Sequence, residues 1–200
     1  SIVAIIQALI IGFYFLSKSK KKSAKNTILA VLLFVYSILI TCSLILSSGN
    51  STRLFLLAHI FNQSAFLVGP LAYLYIKMQI YPAFYFKKKH LVHVLPFVAV
   101  TNYLAIKFYI FPIPITCRSN HILVGSFAFL LTLTYFIASF NELRKNGLTS
   151  NISIRQNNKS SISWLPLFIY GCSLIWLTKF LFFIVWDISG YYQGCNEIIN

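Results

Sequence analysis

Acidic residues are nearly missing from this chain of 200 residues: Glu142, Asp187 and Glu197 are the three present. Paired carboxylates for general acid–base work need two acids in one place, and carboxylate-built metal cages need more. Both are excluded by supply. Charge of either sign is scarce, at 10% of residues against about 25% in ordinary globular chains. The sequence contains no Walker loop, no nucleophile elbow, no dinucleotide fingerprint, no HExxH and no CxxC. These absences argue against a membrane enzyme, so the expectation is a non-enzyme with no cofactor and no metal.

Apolar residues make up 58% of the chain, more than a ball of this size hides, so lipid is the expected solvent for much of it. Six runs approach the ~20 apolar residues that a spanning helix needs. They are Ser1–Ser17, Thr27–Ser48, Leu54–Met78, Leu91–Phe111, Ile122–Phe140 and Ile162–Trp186. None alternates with period two, so helices rather than barrel strands are expected. The first run is short and opens on Ser1, and residues upstream of it are expected to be missing. Its charges follow the apolar stretch, unlike those of a signal peptide.

The net charge of +14 is spread between the runs. Successive linkers carry 5, 1, 4, 1 and 4 Lys or Arg, the third counted with the flanking Lys77, and the tail after Trp186 carries 0. Basic loops stay in the cytoplasm. The alternation therefore predicts an all-α polytopic transmembrane bundle of six spans with its N-terminus outside. Residues 1–186 form the transmembrane domain in this reading. Residues 187–200 are an extracytoplasmic tail leading to a missing seventh helix. The lysine clusters are expected to hold anionic lipid headgroups.

Candidate functional residues are polar groups inside apolar runs. His59, Asn62 and Gln63 lie in the outer half of the third run, either bonding to other helices or lining a ligand cavity. Lys107 and Lys179 each sit about 24 Å up from the inner end of their spans. One reading is snorkelling to the outer interface. The other is a cationic pocket for an anionic ligand, walled by Asn102, Tyr103 and Trp176. Gly69-Pro70 is either a packing kink or a hinge, and Pro96 and Pro166 are further bending points. His90 and His93 share a face, as interfacial histidines rather than metal ligands. Cys117 and Cys195 both fall on the expected outer side, where a disulfide or two free thiols are the alternatives. Cys42 and Cys172 read as small packing residues.

Two stretches occur in order: Gly69-Pro70-Leu71-Ala72-Tyr73-Leu74-Tyr75-Ile76-Lys77, then Phe86-Lys87-Lys88-Lys89-His90-Leu91-Val92-His93-Val94-Leu95-Pro96-Phe97. Together with the lysine-rich first linker and the polar fifth linker leading to Trp164, they resemble the membrane-embedded N-terminal input region of AraC/XylS-type transcriptional regulators of the Bacteroidetes. The similarity runs from about Ile5 to Asp187. It implies a seven-helix sensor domain joined to a cytoplasmic helix-turn-helix module. That module and the seventh helix lie outside this chain, which by itself is expected not to bind DNA. A homodimer is expected if the module reads paired half-sites. The ligand is left unnamed by the resemblance. The rival readings are the input domain of a sensor histidine kinase and a small transporter or channel.

Overall fold

The computed structural model describes residues 2–17, 24–48, 57–58, 60–81, 84, 88–110, 118–146 and 164–199. All regular elements among them are helical. They are α1 (Ile2–Ser17), α2 (Ala24–Ser48), α3 (Ala65–Ile80), a 3₁₀ segment (Lys88–Val94), α4 (Leu95–Ile110), α5 (Arg118–Lys145) and α6 (Leu165–Ile199). Three helical stretches are long and apolar enough to cross a membrane: Ala24–Ile45, Leu123–Lys145 and Leu165–Val185. Ile2–Ser17 and His90–Ile106 are shorter apolar helices.

Each of the six apolar runs yields a helix, but not six uninterrupted rods. The third run breaks at Gln63-Ser64, where the backbone switches to i−3 bonds: Gln63 N–H to Ile60 O at 3.2 Å, Phe66 N–H to Gln63 O at 3.0 Å. Asn62, Gln63 and Ser64 are polar side chains of the kind that compete with helical backbone bonding. Pro70 removes a further bond one turn on, since it has no N–H for the Phe66 carbonyl. α3 ends at Tyr81, which adopts an extended conformation (φ −113°, ψ 94°). Pro82 follows and disfavours the helical region for the residue before it. Pro96 and Pro166 are second residues of α4 and α6. A first-turn N–H has no intrahelical partner, so Pro166 starts its helix, whereas Pro96 follows directly on the 3₁₀ segment and stands where 3₁₀ gives way to α. The segment after Asp187, expected as a tail, continues α6 to Ile199 and holds no proline to stop it.

α3 is buried on nearly every side, with Phe66, Val68, Ala72, Leu74, Tyr75, Ile76 and Met78 all in the interior. A helix apolar all round belongs at the centre, and α2 and α5 pack directly against it. The core joins Leu32, Val35 and Leu39 of α2 to Val68, Ala72 and Ile76 of α3, with Phe136 and Leu143 of α5. Leu165, Ile169, Cys172 and Trp176 of α6 complete it. Cys42 and Cys172 are both buried free thiols. Several hydroxyls in these helices bond back within their own helix, as Ser37 does to Leu33 O (3.0 Å) and Ser139 to Tyr135 O (2.8 Å). That lets them sit in apolar surroundings.

Ring contacts set the helix directions. Phe66 meets Phe127, and Tyr73 meets Tyr135, so α3 and α5 run parallel. Phe140 meets Tyr170, and Phe129 stacks on Phe180 at 3.6 Å, so α6 runs antiparallel to α5. Ile28 packs with Leu74, Tyr75 and Met78, placing the start of α2 beside the end of α3. Lys25, Lys77, Arg144 and Lys145 consequently gather at one end of the bundle. Arg144 and Lys145 also complement the C-terminal dipole of α5.

Candidate functional site

Small residues let the helices approach. A Cβ placed on Gly69 would stand 2.9 Å from the Thr132 Cα and 3.1 Å from the Tyr135 Cβ. Gly69 is therefore the contact point of α3 on α5, and Gly69-Pro70 sits in the packed interior. The change of backbone bonding lies upstream, at Gln63-Ser64.

At the end opposite the basic cluster, a cavity of about 80 Å³ opens between the start of α3, α5 and α6. A water needs ~10–15 Å³ on such a measure, so there is room for several waters or a small head group. Asn62, Gln63, Trp176 and Lys179 line it, with Phe129, Phe180 and Phe183 as apolar wall. Four of the eight ligand-lining candidates read from the sequence thus meet in one place. Gln63 is buried, and Trp176 is only 6% exposed. The Trp176 indole N–H has no hydrogen-bond partner. Lys179 has no carboxylate partner among the described residues. Asp187 lies eight residues further along the same helix, about 12 Å away by rise alone. A cation, an indole donor and two amides, with no acid in the lining, make a site that favours an anion.

The remaining candidates fall elsewhere. Asn102 is exposed and donates to its own helix at Val98 O (2.8 Å), and Tyr103 is 53% exposed. α4 packs chiefly on α3 and the 3₁₀ segment, so neither joins the wall facing α6. His59, Cys117 and the side chains of Lys107 and Cys195 lie outside the described residues.

The basic end holds a second constellation, which sequence reading missed as a unit. Lys77 Nζ donates to the Tyr73 hydroxyl (3.0 Å) and stands 5.1 Å from that ring. The His93 Nδ1 is 2.7 Å from the Tyr135 hydroxyl, and the His93 ring packs edge-on against Tyr73 and Tyr135. His90 stacks beside His93 at 6.4 Å and packs on Phe84 at 4.9 Å. Tyr75 packs on Trp164 and Phe168 of α6. Glu142 accepts from the Tyr81 hydroxyl at 3.0 Å. Among the described residues, no group of three or more His, Cys, Asp or Glu is placed to hold a metal. The signal for this cluster was present: its α3 and 3₁₀ members lie in the two ordered stretches Gly69–Lys77 and Phe86–Phe97.

Comparison with protein-family models, with curated proteins and with solved structures finds no match to this chain.

Proposed function

We propose that this chain is the membrane-embedded input domain of an AraC/XylS-type transcription regulator, in a bacterial cytoplasmic membrane. All six helices cross the bilayer in this reading, N-terminus outside. The basic end faces the cytoplasm, where its lysines hold anionic headgroups. The gathering of Lys25, Lys77, Arg144 and Lys145 at one end is the arrangement a positive-inside bundle needs. The alternating directions of α2, α3, α5 and α6 fit the same threading.

One observation carries the assignment to this family: the ordered motif from Gly69 through Phe97. Gly69 seats α3 on α5, Tyr73, Lys77, His90 and His93 build the cluster at the basic end, and Tyr75 reaches α6. The motif therefore joins the helices at the end nearest any cytoplasmic module. Signalling is a population shift: a ligand at the opposite end favours one helix arrangement, by no more than its difference in affinity for the two. The output is a helix-turn-helix module in the same reading frame, acting as a dimer on paired half-sites.

Two measurements test this. Tags in the Lys20 and Lys88 turns are expected on the cytoplasmic face together, and opposite faces would reject the threading. Sequencing of the parent reading frame is expected to find a helix-turn-helix pair. A histidine-kinase core in its place would transfer the chain to sensor kinases.

A further inference from the structure

Lys179 belongs to two places at once. On one side it lines the cavity with Asn62, Gln63 and Trp176. On the other it borders an open groove along α6 formed with Leu174, Ile175, Thr178 and Phe182. Leu174, Ile175 and Phe182 are each more than half exposed. Thr178 spends its hydroxyl on Leu174 O (2.9 Å), so it presents a methyl group to the groove. A donor-rich cavity for an anion thus continues, through one lysine, into an apolar channel on the outer surface of the same helix.

We propose that this site takes a fatty carboxylate, its head in the cavity against Lys179 and Trp176 and its acyl chain along the α6 groove. The proposal rests on the reading above, in which that face of α6 meets lipid. Three observations choose the ligand. One unpaired lysine calls for one negative charge. The indole N–H of Trp176 is buried without an acceptor, which a carboxylate oxygen would supply. The cavity is small, and its Gly125 wall is tight: a Cβ there would stand 2.5 Å from the Phe183 ring. A carboxylate ends its molecule and fits such a space. A phosphodiester carries a second substituent past its charge and needs more room. Entry is lateral, from the lipid, since the groove opens on the surface of the bundle.

The test uses the full chain in phosphatidylcholine nanodiscs, titrated with 2-bromohexadecanoate, whose bromine sits next to the carboxylate and quenches nearby indole. A saturable loss of tryptophan fluorescence is expected, and Trp176→Phe should remove most of it. Lys179→Met should weaken binding by about tenfold or more, the loss of a charge-assisted bond, and Lys179→Arg should restore most of it. Ala128→Leu fills the cavity while keeping the charge, and should also weaken binding. It decides the matter if Lys179→Met does not fold, as judged by helical circular dichroism. Undiminished quenching in Lys179→Met or Ala128→Leu overturns the proposal. So does competition by hexanoate equal to that by hexadecanoate, which would leave the groove without a role. Competition by phosphatidylglycerol would reassign the site to a phosphodiester head. None of these results touches the topology or reading-frame tests, which judge the sensor assignment separately.

Discussion

Two glycines of this bundle should respond to the same substitution with opposite sign. Gly69 and Gly171 both lie inside helices. Exchange for Ala gains up to about 1 kcal/mol in helix propensity, less in detergent, where the unfolded state keeps helix. At Gly171 nothing lies within 4 Å of the new Cβ, so that gain stands alone. At Gly69 the Cβ meets the Thr132 Cα at 2.9 Å, well inside the ~3.5–4.0 Å of a normal carbon contact. The neighbour is backbone and cannot rotate away, so α3 and α5 must separate. A gap of 0.5–1 Å forfeits roughly a quarter to a half of each dispersion contact along the seam. Overpacking of this kind costs about 1–3 kcal/mol. Pro70 adds to this, because a Cβ on the residue before a proline disfavours the helical region, so Gly69→Ala should be at least about 1–3 kcal/mol less stable than Gly171→Ala. Thermal unfolding in one detergent, followed by circular dichroism, measures it. Equal stability, or a more stable Gly69→Ala, would refute the close approach and the helix pairing built on it.

Tyr135→Phe should destabilise by about 1 kcal/mol, because the His93 nitrogen loses its partner. A double-mutant cycle with His93→Ala should return a coupling near the same size, and zero coupling would deny the bond. Thr132→Val should be neutral or stabilising, since the Thr132 hydroxyl is fully buried with no partner; a marked loss of stability would mean that the hydroxyl is bonded. Trp164→Ala should lower the unfolding temperature by removing the contacts to Tyr75 and Phe168, while leaving 2-bromohexadecanoate binding at the other end unchanged.

The helical class was legible because its cause is local: long apolar runs without period-two alternation read as helices. Helix directions were legible through the basic linkers. The break at Gln63-Ser64 was not, because nothing in the run Leu54–Met78 separates a tolerated polar triplet from one that unseats the backbone. Prolines misled for a related reason. Pro70, Pro96 and Pro166 look alike in sequence, yet Pro70 lies inside α3, Pro96 at the junction of the 3₁₀ segment with α4, and Pro166 in a first turn, where a missing N–H costs nothing. The site was half legible. Asn62, Gln63, Trp176 and Lys179 stood out as polar groups or an indole in the upper part of their runs, and they do meet. Asn102 and Tyr103 stood out equally and do not, because the packing of α4 on α3 is a tertiary choice that no single run encodes.

The same packing connects the cavity to the basic cluster. The segment from Asn62 through α3 to Lys77 touches both: Asn62 and Gln63 line the cavity, and Tyr73 and Lys77 stand in the cluster. Between them Gly69 fixes α3 to α5 with no slack, so α3 cannot tilt against α5 by compressing a soft layer. The freedom that remains is upstream, where the i−3 bonds around Gln63-Ser64 hold the shorter helical piece to α3. A head group drawn against Lys179 would therefore act first on that joint. Through the shared lining it would bear on α6, whose other end carries Tyr170 and Phe168 against α5 and Tyr75. Under the signalling proposed above, α6 rather than α3 would be the element that moves. Tethering α6 to α5 by a disulfide engineered across the Phe140–Tyr170 contact should leave fatty-carboxylate binding intact and abolish any ligand-dependent change at the basic end, read by labelling near Trp164. A tethered bundle that still responds would locate the motion elsewhere.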